Sequence, residues 1–172
     1  MSKVLFGILA VASLAAQPVK LPVSVDGLSR LAIETVDVTM DGSMIRFAER
    51  FLSDRLPEQA KAKRILRGLN AIYVKQFEFA KAGSYSQSDL DAVRAQLRAP
   101  DWSRMVQVKG QGENVEVFAR MQAGEMSGLF VLAAEPKELT IVHIDGPVRP
   151  EDLASLSGHA GLPRLNLQGT SR

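Results

Sequence analysis

The sequence lacks cysteine altogether. Disulfide staples, thiol catalysis and thiolate metal sites are therefore excluded, and the fold must be stabilised by packing alone. Histidine is almost as scarce, with only His143 and His159, and two such residues without cysteine do not build a convincing zinc site. No Gly-x-Ser-x-Gly elbow of a serine hydrolase occurs either. We therefore expect a non-enzymatic protein that holds no cofactor and no metal.

Long apolar runs are missing after the N-terminus, where residues 4–14 carry no charged side chain. Lys3 precedes this run, and Ser13-Leu14-Ala15 ends it with the small-x-small pattern that signal peptidase cuts. The run is shorter than the roughly 20 residues that span a bilayer, so an uncleaved anchor fits less well, as does a buried core helix. We expect residues 1–15 to be a signal peptide cleaved before Ala16 or Gln17, and the mature protein to be periplasmic or secreted without an integral membrane span.

An excess of either charge is also missing. The chain has 21 Lys and Arg against 19 Asp and Glu, and loss of Lys3 with the signal peptide leaves 20 against 19. A near-neutral domain lacks the overall field that attracts nucleic acid or an anionic membrane. Basic residues do cluster at Lys61, Lys63, Arg64 and Arg67. We interpret this cluster as a solvated helix face, and a patch for anionic lipid or polymer is the alternative.

The remaining chain is long enough, and at 46% hydrophobic residues apolar enough, for one packed domain. We expect a linker at 16–22, a single α+β domain at 23–158 and a flexible tail at 159–172. Periodicity and capping signals predict helices over Ser24–Ala32, Met44–Asp54 with Ser43 as N-cap, Pro57–Arg67, 86–98 after a Ser86–Asp89 capping box, and a short one between Pro150 and Gly158. The second helix is expected to face the core with its apolar stripe, namely Met44, Phe47, Ala48, Phe51 and Leu52.

Alternation with a period of two predicts strands over Glu34–Met40 and Ala71–Phe79, and then over four consecutive runs at 102–109, 114–121, 126–134 and 139–145. The turns between those four runs are short, and such turns join antiparallel neighbours. We therefore predict an α+β fold whose antiparallel sheet contains a four-stranded C-terminal meander, with the helices packed on one face in two layers. The last strand, LTIVHID, is apolar on both faces and is expected inside the sheet or beneath the C-terminal helix.

Three motifs imitate functional sites. Asp37-Val-Thr-Met-Asp41-Gly42 resembles the start of a calcium loop, but position twelve is Ala48 instead of the closing Glu. We interpret it as a strand ending in an Asp-Gly turn that leads into a helix. Gly110-Gln-Gly112 joins two strands and is no phosphate loop, which needs a helix N-terminus. The acidic pairs fall at turns or helix starts, where capping explains them: Glu113/Glu116 and Asp89/Asp91.

Aromatic side chains are few, and several share strand faces. Tyr73, Phe77 and Phe79 lie on one face with Lys75, where they either form core or, if exposed, stack on a ligand. His143 shares a strand face with apolar neighbours and is expected to be half-buried and hydrogen-bonded. The candidate ligand-binding residues are Tyr73, Phe77, Trp102 and His143.

Several segments resemble a family of small exported bacterial proteins that is described only as a domain of unknown function. They are GENVEVFARM at 112–121, AAEPKELTIVHIDGPV at 133–148, DLASL at 152–156 and GLNAIYVKQFEF at 68–79. The run from Trp102 and the ETVDVT strand also fit, so that the resemblance covers residues 21–165. It implies export and a helix-plus-meander fold, and it supplies no catalytic residues. An association of relatives with extracytoplasmic sigma-factor systems implies envelope signalling.

Three functions are compatible with these observations, and the third is an enzyme of unrecognised type. The main hypothesis is a non-enzymatic periplasmic interaction or sensing module with an envelope protein as partner. The alternative is a carrier for a small apolar ligand or lipid, with a cavity between helices and sheet. Nucleic acid is not expected as a partner. A pocket lined by Tyr73, Phe77 or Trp102 favours the carrier, clustered carboxylates around His143 favour an unrecognised enzyme, and a large exposed apolar patch favours the interaction module.

Overall fold

A computed structural model describes residues 19–110 and 112–148 of the chain. The helices there are α1 (Val23–Gly27), α2 (Gly42–Glu49), α3 (Pro57–Leu66) and α4 (Gln87–Arg94), with a 3-10 turn at Leu28–Arg30. The strands are β1 (Glu34–Asp41), β2 (Ala71–Glu78), β3 (Trp102–Lys109), β4 (Asn114–Gln122), β5 (Glu125–Glu135) and β6 (Glu138–Asp145). The predicted signal peptide, the helix after Pro150 and the C-terminal tail lie outside the described residues.

The six strands form one antiparallel sheet in the order β1-β2-β6-β5-β4-β3. Strands β3 to β6 are the predicted meander, and the α+β class is confirmed. β6 pairs with β5 on one side and with β2 on the other. The two-sided apolar strand LTIVHID therefore lies inside the sheet, which is one of the two places predicted for it.

The helices cover both faces of the sheet, and the predicted single helical layer is wrong. In β5, Phe130 and Leu132 belong to one buried cluster, whereas Leu129 and Val131 belong to another. Successive side chains of a strand point to opposite faces, so the two clusters are separate cores. The first core includes side chains of α1 and α4, and the second includes side chains of α2 and α3. Because β5 and β6 are apolar on both faces, each face needs its own cover.

The N-cap of α2 is Asp41, not the predicted Ser43. The Asp41 carboxylate accepts hydrogen bonds from the backbone N–H of Ser43 at 2.8 Å and of Met44 at 2.9 Å. A further bond from the Ser43 hydroxyl is the main cause of the lowered pKa of Asp41. Because the Asp41 carboxylate at the end of β1 binds both free amides, α2 begins at Gly42. The helix ends at Glu49, before the predicted end at Asp54.

The side of α2 that faces the sheet also differs from the prediction. Ile45 is buried in the second core, whereas Met44, Phe47 and Phe51 of the predicted stripe are exposed. α2 carries apolar side chains over a wide arc, so composition allows more than one inward side. Because β1 runs directly into α2 through the Asp41 cap, the end of the strand sets the rotation of the helix and turns Ile45 inward.

The other helical predictions are largely confirmed. α3 begins at Pro57, and α4 follows a capping box in which Ser86 and Asp89 satisfy each other's backbone N–H groups. α4 is shorter than predicted and continues past Arg94 only as looser turns that carry Leu97 into the first core. Among residues 19–110 and 112–148, no helix has both the length and the apolarity that a bilayer crossing requires.

Candidate functional site

A cavity of about 240 Å³ lies on the first-core face, beside α1 and strands β1, β2, β5 and β6. We call it the His143 cavity. Its walls include apolar side chains from the segment before α1 and from the sheet, and its border includes charged ones. The lining residues used below are Leu21, Asp26, Asp37, Tyr73, Lys75, Phe130, Ile141 and His143.

His143 lies in the middle of the sheet, at one wall of this cavity. The register of β6 places it directly across from Tyr73 of β2 and Phe130 of β5. Its ring stacks on Tyr73 with the centroids 5.6 Å apart and lies 5.8 Å from the ring of Phe130. Trp102 approaches edge-on at 5.7 Å. The imidazole is therefore held by three aromatic rings, and only 2% of His143 is exposed.

Neither ring nitrogen of His143 has a hydrogen-bond partner among the described residues. The prediction of a half-buried, hydrogen-bonded histidine is therefore wrong, because the neighbouring aromatic rings supply apolar surface where hydrogen-bonding groups were expected. Burial lowers the pKa of His143 to about 4; Asp145 opposes this shift and Arg120 adds to it. At neutral pH the imidazole is uncharged and carries one donor and one acceptor.

A charged triad borders the cavity. The Lys75 ammonium lies 2.6 Å from an oxygen of Asp26 in α1 and 3.2 Å from an oxygen of Asp37 in β1. Burial disfavours the charged form of Lys75, but the hydrogen bonds to both carboxylates outweigh it and raise its pKa. Two carboxylates against one ammonium leave the border with a net negative charge.

The structure brings two of the four candidate ligand-binding residues to this cavity. Tyr73 and His143 line it. Trp102 contacts His143 without lining the cavity, and Phe77 is fully buried in the first core beside Phe79. The sequence predicts that Lys75 shares a strand face with Tyr73, but it does not predict the charged triad. Alternation within a strand does not show that β1 pairs with β2. Ligand binding by these residues stays a prediction.

The acidic residues of the sequence motifs form an ion pair or cap helices, and they do not form a metal site. Asp37 binds Lys75, and Asp41 caps α2. Asp89 belongs to its capping box, and the Ser86 hydroxyl is the main cause of its lowered pKa. No group of three or more potential metal-ligating side chains forms among the residues that the structure describes.

Glu116 does not have the predicted capping role. It lies inside β4, is fully buried, and binds Arg94 of α4 at 2.5 Å and Arg104 of β3 at 3.1 Å. Burial raises the pKa of Glu116, but the two arginines outweigh it, so that its pKa is lowered. The carboxylate faces the first core, where only an ion pair can stabilise it, and it ties α4 to the sheet.

The comparisons with known proteins give one match. A protein-family model described as "Domain of unknown function (DUF4252)" matches residues 32–156, which is more than half of the chain. The matched region contains the aromatic residues around His143 together with α2 and α3, while the α1 wall of the cavity precedes it. No curated protein and no solved structure matches the chain.

Proposed function

We propose that this chain, which belongs to the DUF4252 family, is an exported, non-enzymatic binding module of the cell envelope that holds a small ligand in the His143 cavity. The observation that carries the proposal is a buried imidazole at the wall of a cavity, with no hydrogen-bond partner among the residues that the structure describes. Each buried polar group left unpaired costs about 1–3 kcal/mol. A ligand that supplies the missing partners accounts for a histidine at a position where an apolar side chain would be more stable.

The chemistry of the walls defines the ligand class. Neutral imidazole offers one donor and one acceptor, so it is best matched by a hydroxyl or amide group, which can both donate and accept. Tyr73 and Phe130 offer surfaces for an aromatic or aliphatic body. The two carboxylates around Lys75 disfavour an anion. The volume of about 240 Å³ is below the roughly 300–1,000 Å³ of pockets for drug-sized molecules, which points to a molecule of the size of phenol or indole.

The proposal that the module is not an enzyme rests on the same geometry. General acid–base catalysis by histidine uses a ring oriented by a partner, as in a catalytic triad. His143 has no such partner among the described residues, and aromatic rings surround it instead. A binding role requires only that its nitrogens reach the ligand.

Export is proposed from the N-terminal pattern of Lys3, the uncharged run at 4–14 and the small residues up to Ala15. N-terminal sequencing of the protein isolated from its native host tests it. We expect the mature chain to begin at Ala16 or Gln17. An intact Met1 would refute both export and the envelope location.

Ligand binding can be tested by NMR with phenol, indole and hexanoate as probes. We expect phenol and indole to shift the ring nitrogen resonances of His143, and the anion hexanoate to bind at least tenfold more weakly than phenol. His143→Phe keeps an aromatic ring and removes both nitrogens, so it should weaken phenol binding about tenfold, the equivalent of one hydrogen bond of about 1.4 kcal/mol. Unchanged resonances with both neutral probes, or equal phenol affinity in a folded His143→Phe variant, would refute the proposal.

A further inference from the structure

The outward side of α2, α3 and the segment between them exposes large apolar side chains. We call it the α2–α3 surface, and its exposed apolar members are Met44, Phe47, Phe51 and Leu56. Phe47 is 59% exposed and Phe51 is 72% exposed. Their rings lie edge to face with the centroids 5.1 Å apart, which makes a paired aromatic projection. Single exposed apolar residues are ordinary, but a contiguous group indicates a contact surface.

This exposed group is separate from the packing that holds the helices on the sheet. Ile45 and Ile65 anchor α2 and α3 in the second core. Met44 and Phe47 lie three residues apart in α2, and Phe51 follows four residues later in the turn after the helix, so that all three lie on the side away from Ile45. The fold therefore leaves most of the surface of the two phenylalanines uncovered by the described residues, with Phe47 59% exposed and Phe51 72% exposed.

Positive charge concentrates on the same surface. Residues 44–67 contain seven Lys and Arg but three Asp and Glu, a net charge of +4, while the whole chain carries +2. The rest of the chain therefore carries a net charge of −2, so the near-neutral total combines a basic segment with an acidic remainder. Of the three acids, Asp54 already binds Lys63 of α3, and Glu49 binds Arg67 directly after α3. Five basic residues form no ion pair within the described part of the chain: Arg46, Arg50, Arg55, Lys61 and Arg64.

We infer that the α2–α3 surface docks on an anionic phospholipid bilayer. Phenylalanine rings beside arginines are the pattern of an interfacial helix, in which the rings enter the boundary of headgroups and acyl chains while the cations contact phosphates. A bilayer accepts projecting rings without a preformed pocket, whereas an acidic protein partner would need a groove to receive Phe47 and Phe51. The inference does not depend on ligand binding in the His143 cavity, which lies on the opposite face of the sheet.

The test is co-sedimentation of the full chain with phosphatidylcholine vesicles and with vesicles that contain 30% phosphatidylglycerol. We expect at least tenfold tighter binding to the anionic vesicles, with a loss of binding at high salt. Phe47→Ser with Phe51→Ser should weaken binding to anionic vesicles more than tenfold. Arg46→Gln with Arg50→Gln should do the same, since each basic residue near an anionic surface contributes about fivefold.

The matched control is Met105→Ser with Val108→Ser, which replaces two residues of similar exposure on β3 and should leave vesicle binding unchanged. All variants share the N-terminal segment, so its apolar run cancels in the comparison. Circular dichroism checks that each variant is folded. Equal binding to both kinds of vesicle, or an unchanged affinity in the folded phenylalanine variant, would overturn the inference. Retention on polyglutamate without binding to anionic vesicles would also overturn it and would indicate an acidic protein partner.

Discussion

Replacement of His143 by leucine should make the protein more stable at neutral pH. The wild-type ring buries one donor and one acceptor that have no partner within residues 19–110 and 112–148, at about 1–3 kcal/mol for each group. Leucine removes both groups and loses the contacts with three aromatic rings, where each aromatic pair contributes about 0.5–1.5 kcal/mol. The midpoints of these ranges are about 4 kcal/mol for the two unpaired groups and about 3 kcal/mol for the three ring contacts, so the free energy of unfolding should increase by about 1 kcal/mol.

Acid should enlarge this difference. The pKa of His143 is about 4 in the folded protein and about 6.5 in an unfolded chain. Between these values the unfolded state binds the additional proton, so wild-type stability falls as the pH falls from about 6.5 to 4. The loss is on the order of 3 kcal/mol. It is absent from the His143→Leu variant, while the titration of all other groups cancels in the comparison.

Urea denaturation at pH 7.0, 5.5 and 4.5 measures both effects. Trp102, the single tryptophan, lies beside His143 and reports unfolding by fluorescence. Tyr73→Leu is the control, because it removes a stacking partner of the imidazole but no unpaired nitrogen, and it should destabilise the protein. A His143→Leu variant that is less stable than wild type, with the same dependence on pH, would refute the description of His143 as an unpartnered buried base.

Three further predictions concern the scaffold and are checked by urea or thermal denaturation. Glu116→Gln should lower the free energy of unfolding by about 2–4 kcal/mol, because it leaves two arginines without their shared carboxylate; a loss below 1 kcal/mol would contradict a structural ion pair. Gly146→Ala should cost at least about 2 kcal/mol, since φ is +128° and the new Cβ would lie 2.8 Å from the Leu69 backbone, whereas Gly124→Ala has a positive φ but open space and should cost about 1 kcal/mol. Equal losses at the two glycines would contradict this reasoning. Ser86→Ala should cost about 1 kcal/mol by removing a capping box, and an unchanged midpoint would argue against that cap.

The strands were readable from the sequence because their signals are local. Alternation marks the meander, and short turns make its neighbours antiparallel without any knowledge of the rest of the chain. The Ser86–Asp89 capping box is local in the same sense. The pattern of β6 also indicated that both of its faces are covered, but it left two places open, inside the sheet or beneath the C-terminal helix.

The distribution of the helices was not readable, because it depends on long-range pairing. The two-sided apolar pattern of LTIVHID already implied cover on both faces, but it does not say which helix lies on which side. α2 shows the same limit, since Ile45 and Phe47 are equally apolar and only the junction with β1 decides which one turns inward. His143 is surrounded by three aromatic rings that belong to three different strands. A local sequence pattern does not predict which side chains from distant strands come into contact.

The pairing of β2 with β6 also governs the order in which the chain can complete its structure during synthesis. β2 ends at Glu78, and its inner neighbour begins only at Glu138. Until β6 is made, β1 and β2 can form only a two-stranded pair, and isolated pairs of strands are at best marginally stable in water. The arrival of β6 connects this pair to the β3–β5 ribbon, so the six-stranded sheet can be completed only when nearly all of the described residues have been made.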